Sequence, residues 1–63
     1  MNTENKKFES MLNNWINGNI FDYSQQLRSL SKIRLLEYLQ YVKNYSGYSM
    51  ENTISRIISL LEN

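Results

Sequence analysis

With 63 residues the chain makes at most one small domain, because a chain of this size buries only about 60% of the surface its unfolded form exposes. Seven Lys and Arg stand against six Asp and Glu, and the net charge of +1 falls short of the basic excess usual in a nucleic-acid-binding domain. There is no Cys and no His, which excludes a disulfide framework, thiolate chemistry and the ordinary zinc, haem and iron–sulfur sites.

The first element is a helix whose stripe is Phe8, Met11, Leu12, Trp15 and Ile16, in i, i+3, i+4, i+7, i+8 order. Thr3 is its expected N-cap, with Glu4 at the positive end of the helix dipole. Asn17-Gly18 ends it, since Gly takes the left-handed conformation beyond a helix C-terminus. Trp15, at the centre of the stripe, is the expected core anchor, packed on Leu12, on Leu39 or Leu35, and on Ile57 or Ile58.

Asp22 stands as the N-cap of a second, short helix, with Gln25 in the capping-box position and Tyr23, Leu27 and Leu30 on its apolar side. At about 100° per residue, those three cluster roughly a quarter-turn from the Leu35, Leu39 and Val42 face of the next segment. One straight helix would have to bury two faces, so a break falls near Ser29-Leu30-Ser31. Ser31 is the N-cap of the third helix, and Leu30 and Leu35 hold the hydrophobic-staple positions. This helix is expected to run to about Tyr45 and stop at Gly47. Ser49 then caps a fourth helix, with Glu51 in its first turn and Met50, Ile54, Ile57, Ile58 and Leu61 as the buried stripe.

No stretch alternates apolar and polar residues in the manner of a strand. The fold class is therefore all-α: a compact bundle of three longer helices plus one short helix, forming a single domain over residues 1–63. No apolar run exceeds two residues, whereas a membrane-spanning helix needs about 20 and a signal peptide about 7–15. The expected location is the cytoplasm, with no membrane partner. Leu60 lies off the stripe of its helix and Leu36 toward the edge of its own. Those wide apolar faces, in a short chain without disulfide or metal, lead to the expectation of a homodimer.

Catalysis is not expected. No carboxylates pair in sequence, the two glycines are 29 residues apart and form no phosphate loop, and Ser31-Lys32 reads as a cap followed by a solvated Lys. No cofactor and no metal are implied. The best functional feature is a stripe on the third helix. Arg34, Tyr38, Tyr41 and Tyr45 span roughly 60° of its circumference, with Tyr48 just beyond the helix end. Tyr and Arg are the residues most enriched in binding hot spots, so these five form the expected contact surface for a partner protein. Glu37, Gln40 and Asn44 lie on the far side of the helix and are expected to matter less. The alternative is a dimeric DNA-binding regulator, with segments 22–29 and 31–45 mimicking a helix-turn-helix and Arg28, Lys32, Arg34 and Lys43 on the nucleic acid. Against it stand the apolar character of the would-be recognition helix and a joint without glycine. Twenty-nine residues are Phe, Tyr, Met, Ile, Asn or Lys and only five are Gly, Ala, Arg or Pro, the signature of an AT-rich genome. Together these features suggest a small regulatory, inhibitor or adaptor protein of the kind phages and plasmids encode, anti-CRISPR inhibitors among them.

Overall fold

Four amphipathic segments separated by capping residues give four helices in the computed structural model, which describes residues 3–45 and 50–63, with side chains from residue 6 onward. They are α1 (Thr3–Ile16), α2 (Ile20–Arg28), α3 (Lys32–Lys43) and α4 (Glu51–Glu62). Three are long, at 14, 12 and 12 residues, and α2 is short at 9. The radius of gyration is 10.7 Å, close to the ~10.6 Å of a compact chain of this length.

The helix ends follow from particular residues. Gly18 has φ of 82°, the left-handed region that a side chain would strain. Around it the Asn19 N–H donates to the Asn14 carbonyl at 2.8 Å and the Gly18 N–H to the Trp15 carbonyl at 3.1 Å. That pair of bonds is the Schellman closure of α1. At the α2–α3 joint, Ser29 Oγ donates to the Gln26 carbonyl at 2.7 Å. Ser31 then caps α3, its Oγ accepting from the Arg34 N–H at 3.3 Å. α1 and α2 are also clamped side chain to side chain, where Asn14 Nδ2 donates to Gln26 Oε1 at 2.9 Å.

Other boundaries differ from the sequence reading. α2 begins at Ile20 and its N-cap is Asn19, so Asp22 lies inside the first turn; it still faces the positive end of the dipole. α3 ends at Lys43 with Asn44 as C-cap, two residues short of Tyr45. The N-cap of α4 is Met50, whose side chain is buried and makes no capping bond. Gly47 and Ser49 lie outside the described residues. Thr3 is already the first residue of α1 and not a residue before it.

All four helices contribute to one core. Phe8, Met11 and Leu12 enter from α1, Tyr23 and Leu27 from α2, and Leu35, Tyr38, Leu39 and Val42 from α3. Met50 and Ile57 close it from the α4 side. Of the expected α4 stripe Met50 and Ile57 are buried and Ile54 and Leu61 pack against the core, but the buried face is turned at its edge. Thr53 is fully buried, Leu60 packs against the core, and Ile58 is 39% exposed. Trp15 is not the central anchor either, being half-buried at the core margin.

Candidate functional site

The centre that Trp15 was expected to hold is taken by two tyrosines. Tyr23 on α2 and Tyr38 on α3 are both completely buried, and their hydroxyls are hydrogen-bonded to each other at 2.9 Å. The Tyr23 hydroxyl is also hydrogen-bonded to Thr53 Oγ1 on α4. Thr53 turns inward for this reason, since a buried hydroxyl without a partner costs about 1–3 kcal/mol. No buried side-chain polar atom among the described residues lacks a partner. Burial is the main influence raising both phenol pKa values above the ordinary 10.0. At Tyr23 the hydrogen bonds from Thr53 and Tyr38 and the nearby charge of Arg56 oppose it.

Aromatic rings run outward from this pair. Trp15 lies 5.2 Å from Tyr23 between centroids. Phe8 lies 5.2 Å from Tyr38 and 5.8 Å from Tyr41, and Tyr41 stacks on Tyr38 at 6.3 Å with planes 16° apart. The expected contact stripe therefore divides. Tyr38 is a core residue with no surface to offer, because it sits on the inward side of the stripe, next to Leu35 and Leu39. Tyr41 is a rim residue, one face covered by Phe8 and Tyr38, and its phenol is shifted upward mainly by burial. Arg34 and Tyr45 are half-buried on the same flank, with Arg34 Nη1 2.7 Å from Glu37 Oε1. Glu37 is thus a partner of the Arg34 side and not a residue remote from it. Tyr48 lies outside the described residues.

The opposite flank of α3 carries Leu36, which the sequence already places off the buried stripe, and Ile33, which it did not single out. Ile33 is 71% exposed and Leu36 is 52% exposed. They stand at i and i+3, Leu36 roughly 90° and Ile33 roughly 150° round the helix from the Leu35–Leu39–Val42 face. Phe21 on α2 is 74% exposed. The available signal was position: each is a large apolar residue off the stripe that its own helix buries.

The basic residues of the DNA reading are dispersed. Lys32 and Lys43 are exposed on α3, and Arg34 is engaged with Glu37. Arg28 belongs to a cleft between α2 and α4 of about 220 Å³, lined by Ser24, Leu27, Arg28, Arg56, Ser59 and Leu60. Arg56 is placed there by Trp15, its guanidinium carbon lying 5.5 Å from the ring centroid in cation–π geometry. A shallower polar depression of about 340 Å³ is lined by Asn14, Asp22, Gln25, Gln26 and Ser29. Among the described residues no three carboxylates gather where a metal ion would sit, and no helix is long and apolar enough to cross a membrane. No family model, curated protein or solved structure matches the chain.

Proposed function

We propose that this protein is a non-enzymatic interaction module, a regulatory, inhibitor or adaptor protein that acts by binding another protein. The observation that carries the reading is that α3 buries one apolar face and leaves two further large aliphatic residues outside it, among polar ones. Leu35, Tyr38, Leu39 and Val42 are buried, while Ile33 and Leu36 face outward. Paired apolar residues at i and i+3 are the anchors an amphipathic helix lays into a partner's groove. Arg34, Tyr41 and Tyr45, on the other flank of the helix, offer a second, polar-tipped aromatic surface of the kind such contacts favour.

Affinity capture from a lysate of the source organism, with and without nuclease, tests the reading. One defined protein should be recovered in both conditions and lost with the Ile33→Glu/Leu36→Glu variant. Recovery of nucleic acid alone, weakening steeply with salt and dependent on Arg28, Lys32 and Lys43, would replace it with the DNA-binding alternative.

A further inference from the structure

The cleft between α2 and α4 joins two arginines to two hydroxyls over an apolar floor: Arg28 and Arg56, Ser24 and Ser59, Leu27 and Leu60. Two like charges on one small cleft repel each other unless an anion lies between them. Among the described residues neither arginine has a carboxylate within salt-bridge distance, in contrast to Arg34 with Glu37. Arg56 is also held in place before any ligand arrives, by the Trp15 ring beneath it. Preorganised guanidinium groups make shorter and stronger hydrogen bonds to a carboxylate than neutral donors do.

Building on the protein-binding reading, we propose that this cleft receives a glutamate or aspartate side chain of the partner protein. The carboxylate is held between Arg28 and Arg56, and the hydroxyls of Ser24 and Ser59 donate to its remaining lone pairs. The methylene stem lies on Leu27 and Leu60. Size favours a side chain: about 220 Å³ is below the roughly 300–1,000 Å³ of sites for drug-sized ligands. Shape disfavours a duplex phosphate, which sits on a convex backbone and is met by protruding basic residues. Lys32 and Lys43, the other exposed cations of the α2–α3 segment, are not in the lining.

The chain has only three arginines, so each side-chain Nε–H signal in a nitrogen–proton NMR spectrum is assignable by single substitution. Titration with acetyl-tetraglutamate amide should shift Arg28 and Arg56 saturably and leave Arg34 in place, while acetyl-tetraglutamine amide shifts none. Arg28→Gln, at an exposed position remote from the buried hydroxyls, should leave the fold intact and weaken binding at least about tenfold, as removal of a charge-assisted bond implies. Uniform, unsaturable movement of all three arginines, or no movement, overturns the proposal. So does tighter Arg28-dependent binding of a short DNA duplex, which would give the cleft to nucleic acid. Capture of the partner separates this inference from the reading beneath it. If Arg28→Gln captures the same protein undiminished, the cleft assignment falls and the interaction reading stands. If tetraglutamate binds the cleft but wild type captures no protein, the interaction reading falls and takes the partner assignment with it, leaving only a carboxylate site.

Discussion

The interior of this protein holds three hydroxyls at its centre, whereas the outer flank of α3 holds two large aliphatic side chains in water. Tyr23, Tyr38 and Thr53 are each 0% exposed; Ile33 and Leu36 are 71% and 52% exposed. Both arrangements invert the usual partition of polar and apolar groups. The interior inversion is self-sufficient, because the hydroxyls satisfy one another and join three different helices. Ile33 and Leu36 lie outside the core cluster. Stability and recognition are therefore expected to respond to different substitutions.

The largest expected effect comes from emptying the centre. Tyr23→Ala removes a fully buried ring that touches both Trp15 and Tyr38. Aromatic truncation in a core costs about 3–5 kcal/mol, and a domain this small has only about 3–5 kcal/mol to lose. Circular dichroism should show the variant largely unfolded. Trp15→Ala, at a half-buried position, should melt at a higher temperature than Tyr23→Ala. The opposite order would return the anchor role to Trp15.

Alkaline pH strikes the same centre without mutation. Both phenols have folded-state pKa values raised above 10.0, so the folded state keeps protons that the unfolded chain releases. Their contribution to stability is complete below about pH 10 and is lost as pH rises through the raised values. Tyrosinate absorbance should show the Tyr23 and Tyr38 phenols ionising only together with loss of helix. Smooth titration of all five tyrosines in a folded protein would break the comparison.

Single hydroxyl deletions rank the network. Tyr23 is the middle member, so Tyr23→Phe leaves both Tyr38 and Thr53 without a partner, at about 1–3 kcal/mol each. Tyr38→Phe and Thr53→Val each leave Tyr23 one remaining bond, and should cost about 0.5–1.5 kcal/mol. Denaturant unfolding measures all three; equal costs would mean that the hydroxyls act independently.

Much of this fold is legible in the residues because helix ends and apolar stripes are local signals. Gly18, Ser29–Ser31 and the Phe8–Met11–Leu12 and Leu35–Leu39–Val42 faces needed no knowledge of the partner helices. The centre was not legible for the same reason. Thr53 looks like a surface residue until Tyr23, 30 positions away, supplies its bond. Turning Thr53 inward carries Ile58 outward and draws Leu60 toward the core, which reverses the expected order on α4. Tyr38 was misplaced by a smaller margin: on the edge of a stripe, phase alone does not separate rim from core, and the Phe8 ring covering it comes from another helix. The Arg28–Arg56 cleft pairs residues from α2 and α4 whose proximity exists only after folding.

The smallest expected effect on stability is also the most discriminating for function. Ile33→Ser/Leu36→Ser changes two exposed side chains that lie outside the core cluster, so its stability should stay within about 0.5 kcal/mol of wild type per site. Its association behaviour should not stay the same. The expected homodimer loses its Leu60 argument, since Leu60 packs against its own core, but gains from the exposure of Ile33 beside Leu36. If the outer flank of α3 joins two copies, light scattering at micromolar concentration should read a dimer for wild type and a 7.6 kDa monomer for the variant. If the flank is kept for a different protein, both are monomers and only partner capture is lost. A variant that unfolds would show that Ile33 and Leu36 belong to the fold, and would remove the distinction between the two flanks of α3. A variant that is folded, dimeric and still captures its partner would leave the flank without a role and move the interface to Arg34, Tyr41 and Tyr45.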